Sequence, residues 1–202
     1  MKRPSTADGA PSVADAMYLA VIPAYRQECI NVLLSSGHRV DLYACDAHLE
    51  ESVRTGIQSG QYARTEMCRL GSVAFIQTGH WAQAVAAGNL VVDLNPRSLT
   101  AWVMLILRRL LRRRTLVWGH LYPTGGRDAR TRFLRRAMRR LAHGFIAYTY
   151  AHARSASSDR IGRPVWVAPN SLYSSTALSQ RSPSTTTKRS KIVYVGRLEP
   201  SK

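Results

Sequence analysis

Residues 90–120, LVVDLNPRSLTAWVMLILRRLLRRRTLVWGH, decide the fold. The stretch opens with a short Val- and Leu-rich run, 90–94 (LVVDL), and closes on another, 115–119 (TLVWG). Neither alternates apolar with polar residues, as expected of strands covered on both faces of a parallel sheet. Between them, residues 98–112 have helical period. The same alternation extends outward in both directions. Residues 17–23 (MYLAVIP), 40–45 (VDLYAC), 72–77 (SVAFIQ), 144–148 (GFIAY) and 165–168 (VWVA) read as strands. Residues 26–36, 81–87 and 129–142 read as helices, and the polar stretch 47–70 as irregular with a helical turn or two. Repeated strand–helix–strand order predicts an α/β fold, a doubly wound, Rossmann-like parallel sheet.

In such sheets ligands bind beyond the carboxyl ends of the strands. The loops of interest are therefore Pro23-Ala24-Tyr25-Arg26, Thr78-Gly79-His80, Asn95-Pro96 and the segment from His120 to Gly126. None contains GxGxxG or GxxxxGK[ST], so neither a dinucleotide site nor a P-loop is indicated.

The chain has 202 residues and a mass of 22.5 kDa, enough for one substantial domain and a fraction. Residues 1–16 carry no apolar core of a signal peptide and read as a disordered leader. Residues 17–170 form the α/β domain. Residues 171–190 (SLYSSTALSQRSPSTTTKRS) have the composition of a linker. Residues 191–202 (KIVYVGRLEPSK) read as the first strand of another domain, cut off where it begins. Cys29, Cys45 and Cys68 are odd in number and share no metal-ligand spacing, so they read as small buried residues in a reducing compartment. The longest apolar run, 99–107, is far below the roughly 20 residues a bilayer-spanning helix needs.

Charge sets the chain apart. Lys and Arg number 29 against 12 Asp and Glu, a formal net charge of +17. Twelve arginines lie between Arg108 and Arg140, with Asp128 the one acid among them. In the helix of residues 129–142, Phe133, Leu134, Ala137, Met138 and Leu141 fall on one face. Arg132, Arg135, Arg136, Arg139 and Arg140 occupy the rest. Three readings fit. The arginines are solvated outer faces, or they contact an anionic membrane surface at about 1 kcal/mol per residue, or they bind nucleic acid. No helix-turn-helix, zinc finger or aromatic RNA platform accompanies the charge, so nucleic acid is not expected.

The end of the chain resembles a known family. Gly196 to Lys202 after the strand of residues 191–195 is similar to the opening of the second domain in glycosyltransferase family 4 (group 1), enzymes of the GT-B fold. GFIAYTYAHA followed by PVWVAPNSLY resembles that family's last first-domain strand, helix, strand and crossing segment. TLVWGH resembles its strand ending in a cleft histidine. The resemblance covers residues 17–202. It implies a truncated, retaining, hexosyltransferase-like enzyme that takes a sugar from a nucleotide sugar and needs no metal or other cofactor. By the same resemblance His120 lies at the catalytic cleft, while Gly196, Arg197 and Lys202 hold the donor diphosphate, whose growing charge preorganised cations stabilise. Tyr25 and Arg26 occupy the acceptor-side loop, where family members often carry a glycine-rich stretch. The family's paired glutamates, separated by seven residues, would follow Lys202, so the fragment alone is expected to be inactive. A lipid-linked or polysaccharide acceptor and a place on the cytoplasmic face of the membrane complete the expectation. The rival from another class is a non-catalytic basic α/β module that binds anionic lipid or nucleic acid.

Overall fold

The computed structural model describes residues 13–49, 53–58, 60–122 and 131–170. Seven strands make one sheet: β1 (Asp15–Tyr18), β2 (Val40–Ala44), β3 (Ala63–Arg64), β6 (Asn89–Asp93), β7 (Arg114–Gly119), β8 (Gly144–Ala147) and β9 (Val165–Val167). Their spatial order is β3-β2-β1-β6-β7-β8-β9, and every neighbouring pair is parallel. The chain thus runs outward from β1 in one direction and from β6 in the other. This is the doubly wound, Rossmann-like order, and its switch point lies between β1 and β6.

The helices are α1 (Gln27–Ser35), α2 (Trp81–Ala86), α3 (Leu99–Leu110), α4 (Arg132–Leu141) and α5 (Tyr150–Ser157). Two start on side-chain caps. Ser98 accepts from the Ala101 N–H, and Thr149 accepts from the His152 N–H, each at 3.1 Å. Residues of α2, α3, α4 and α5 share one core with Leu90, Val92, Val117 and Phe145 of the sheet. The other face meets α1 through Ile30, packed with Met17, Leu42 and Trp118. An apolar cavity of about 490 Å³ opens on that face beside α1, lined by Val32, Leu33, Val91, Leu116 and Ile146.

The region around residues 66–78 departs from the sequence reading. Residues 72–77 do not supply a strand to the main sheet. β4 (Glu66–Leu70) and β5 (Ala74–Thr78) pair with each other as an antiparallel hairpin. Among its described residues, the stretch expected to be irregular holds β3 and β4 and no helical turn. Its turn places Gly71 at φ +60, a conformation glycine adopts without a Cβ clash. The hairpin is tied to the sheet by the buried Gln77, whose amide donates to the Leu19 carbonyl at 2.9 Å and to Thr65 Oγ1 at 2.7 Å. β1 begins inside the expected leader, at Asp15, because its carboxylate accepts from both the backbone and side-chain N–H of Asn89. Cys45 is buried and Cys29 half-buried, but Cys68 is exposed on the hairpin, against the expectation for all three.

Arginine is the main surprise of the core. Arg108 is fully buried. Its guanidinium donates to the carbonyls of Ala84, Val85, Ala87, Gly88 and Arg114 and to Thr115 Oγ1, at 2.6–3.1 Å. It thereby caps the carboxyl end of α2, where the helix dipole also favours a cation. Burial pushes its pKa down to about 10, so it stays charged at neutral pH.

Candidate functional site

Four loops meet beyond the carboxyl ends of β1, β6, β7 and β8. After β1 the chain stays buried through Leu19–Ile22, then makes a 3-10 turn at Ala24–Arg26. The loop after β2 holds this turn in place. The Ile22 N–H donates to Thr55 Oγ1 at 3.1 Å, and the Gly56 N–H donates to the Ile22 carbonyl at 2.9 Å. A Cβ on Gly56 would lie 2.8 Å from the Ala24 backbone nitrogen, so this close approach requires glycine. Gly56→Ala is expected to displace the turn and cost about 1–3 kcal/mol. An unchanged urea midpoint would contradict that packing.

The turn exposes Tyr25 and buries Arg26, which is only 5% exposed. The sequence reading put both in one acceptor loop, but Arg26 points inward because two aromatic faces receive it. Its guanidinium carbon lies 4.4 Å from the Trp118 ring centre and 5.1 Å from that of Tyr148. One Nη donates to the Tyr148 hydroxyl. Nε and the other Nη have no hydrogen-bond partner among the described residues, and neither does the Trp118 indole N–H. Asp93, ending β6, accepts from the Ala20 N–H at 2.6 Å. Burial pushes its carboxyl pKa up, against the pull of the Arg26 charge. Burial likewise raises Tyr148, again opposed by Arg26.

His120 follows β7 at the rim of this cluster. Its ring meets Tyr148 edge-on at 4.5 Å and His152 at 5.7 Å. His152 comes from the first turn of α5, held there by the Thr149 cap, and also meets Tyr122 at 5.7 Å. Burial, then the neighbouring His152, Arg135 and Arg26, push the His120 pKa below 6.5. The imidazole is thus neutral at pH 7 and able to share a hydrogen bond with a ligand hydroxyl.

The arginines expected on a membrane surface divide. Arg132, Arg136 and Arg140 are exposed as expected. Arg139 is buried, ion-paired to Asp159 at 2.5 Å and set over the Phe145 ring, so it cannot reach a membrane. Arg135 also turns inward and donates to the carbonyls of Leu94 at 2.6 Å and His120 at 3.1 Å. It fastens the loops after β6 and β7 together and so positions His120. Both turn inward because a long side chain reaches acceptors there: Arg135 the loops after β6 and β7, and Arg139 the end of α5 and Asp159.

The sequence reading found His120, Tyr25 and Arg26 but not Asp93, Trp118, Tyr148 or His152. The signal available was a polar or aromatic residue ending an apolar run, as in LVVDL and GFIAY. Gly196, Arg197 and Lys202, and the segments 171–190 and 191–202, lie outside the described residues. Among the described residues no group of three or more His, Cys, Asp or Glu could hold a metal ion, and no helix is long and apolar enough to cross a membrane. Neither a protein-family model nor a curated protein matches the chain.

Two histidines make folding pH-dependent. His143 Nδ1 accepts the Thr115 N–H at 3.2 Å, which requires an unprotonated nitrogen. Burial and then Arg109 and Arg163 hold its pKa below 6.5, as burial does for His120. The unfolded chain therefore binds more protons near its histidine pKa, and stability rises with pH there. The contribution is present above about pH 6.5 and is lost as the pH falls through the lower native values. The urea midpoint is expected to be lower at about pH 5.5 than at about pH 7.5, and His143→Gln should flatten the profile. A midpoint that rises on acidification would reverse the assignment.

Proposed function

We propose that this chain carries the acceptor-side domain of a GT-B sugar-transfer enzyme. It takes a lipid-linked or polysaccharide acceptor at the cytoplasmic face of a membrane and works with a nucleotide-sugar donor. The observation that carries this reading is the cluster beyond the carboxyl ends of β1, β7 and β8. A buried cation, Arg26, with two donors unpartnered among the described residues, underlies a neutral histidine, His120, among Trp118, Tyr148 and His152. Sugar transfer breaks the bond between the anomeric carbon and the donor diphosphate and forms one to an acceptor oxygen, which gives up its proton. The cluster offers what the acceptor side of that step needs. Aromatic edges meet a sugar ring, and an uncharged imidazole meets its hydroxyl. Positive charge nearby favours the developing diphosphate.

Two-dimensional NMR of the chain labelled at histidine tests the reading, with UDP-glucose and a short-chain polyprenyl phosphate as probes. The acceptor analogue is expected to shift the His120 and His152 ring signals, and His120→Ala to weaken its binding about tenfold or more. Shifts confined to the arginine-rich helices, unaffected by His120→Ala, would favour the non-catalytic basic module instead.

A further inference from the structure

The outer face of α3 is apolar along its whole length. Leu99, Val103, Ile106 and Leu110 follow at i, i+4, i+7 and i+11, with Leu107 beside them, and all are exposed. Leu110 is 75% exposed, and Leu111 continues the stripe past the helix end. A sheet-covering helix ordinarily turns polar residues outward. Here the inward face, with Thr100, Ala101, Met104, Leu105 and Arg108, is buried as usual, and the outward face is greasy as well. Next to it, α4 exposes Phe133 (72%) and Leu134, residues that its helical pattern assigned to the buried face.

The flanks of this surface carry one sign of charge. Arg109, Arg112, Arg113 and Arg114 surround the end of α3, and Arg132, Arg136 and Arg140 line α4. All seven are exposed. None is in a salt bridge among the described residues, and neither 97–114 nor 131–142 contains an acid. That pattern selects the occupant. A second copy docking stripe to stripe would bring two acid-free arginine clusters together, at a cost in repulsion. An anionic bilayer offers acyl chains to the stripe and phosphates to the flanks.

We propose that α3 lies in the plane of an anionic membrane, with Val103, Ile106, Leu107 and Leu110 in the acyl boundary and Arg109 and Arg136 among the headgroups. The exposed apolar stripe is about 16 Å long at 1.5 Å per residue. It begins at Leu99, just past the loop that Arg135 fastens to His120. The proposal rests on the membrane part of the proposed function and names the element that performs it. Arginine stems can lie along the apolar surface while their heads stay in water, which suits a helix at this depth.

Sedimentation of the full chain with phosphatidylcholine vesicles, with and without phosphatidylglycerol, tests it at physiological salt. The chain is expected to pellet with the anionic vesicles. The exposed pair Ile106→Ser with Leu110→Ser should weaken that binding by on the order of a hundredfold, with the thermal midpoint and the His120 signals unchanged. No pelleting of the unaltered chain would overturn this proposal and the membrane part of the proposed function together. Pelleting that survives the serine pair but is lost in Arg109→Glu with Arg136→Glu would overturn insertion alone and leave a purely electrostatic attachment. Dimers in analytical ultracentrifugation that the serine pair abolishes, without vesicle binding, would assign the stripe to a second copy. Retention of an RNA oligonucleotide in place of vesicles would assign the arginines to nucleic acid.

Discussion

Arg108→Met is expected to lower the unfolding free energy by about 3–5 kcal/mol, read from urea denaturation. Methionine matches much of the arginine's volume, so little of the loss comes from packing. The loss comes from the acceptors. Five carbonyls and the Thr115 hydroxyl take hydrogen bonds from this one guanidinium, and three of the carbonyls belong to Ala84, Val85 and Ala87 at the end of α2. With the donors gone, buried carbonyls face apolar surroundings at about 1–3 kcal/mol for each one left unsatisfied, and some gain partial relief by fraying α2 toward water. Arg108→Lys should recover less than half, because an ammonium has three donors in place of five and lacks the planar fork. A loss under about 1 kcal/mol for the methionine variant would mean that α2 ends without this cap.

Arg26→Met should behave oppositely, although Arg26 is almost as deeply buried. Among the described residues this guanidinium has two donor atoms without partners and no carboxylate within ion-pair distance. A buried charge left so incompletely paired carries a desolvation cost, and an apolar side chain of similar volume removes it. Stability is expected to stay within about 1 kcal/mol of the original or to rise. The site should suffer instead. The Arg26 charge is one of those that lower His120, so the His120 pKa should move up, which NMR titration of the ring measures directly. The Asp93 carboxyl, released from the same charge, should move further up. Binding of the polyprenyl phosphate probe should be lost. A loss of several kcal/mol with the His120 titration unmoved would make Arg26 a core residue and withdraw it from the site. The two variants together separate an arginine kept for the fold from one kept against it.

Much of this architecture is legible from residue order. The apolar runs at β2, β6, β7, β8 and β9 lie within one residue of their final bounds, since strands covered on both faces must be continuously apolar, whereas the run 17–23 overlaps β1 only at Met17 and Tyr18 and continues into the loop beyond it. α3 is equally plain from its period, and His120 from its place at a strand end. The β4–β5 hairpin was not readable. AFIQT has the same apolar look as a central strand, and only the partner Glu66–Leu70, mostly exposed, shows that it pairs at the periphery. Nor could the arginines be sorted. Arg132, Arg135, Arg136, Arg139 and Arg140 look alike along the helix, and spacing counts each as solvated.

What the sequence determined by itself is the class of fold, its parallel sheet and the strand ends where a ligand would sit, because these follow from local hydrophobic period. The tertiary structure alone decided which charges are inside. A guanidinium is long enough to leave its own helix and find acceptors on another, so Arg108, Arg135 and Arg139 take their partners from elements distant in the chain. The same packing decided which apolar residues are outside. Phe133 belongs by pattern to the apolar face of its helix, and it faces outward because the core beneath is already filled by Met104, Leu105 and Met138.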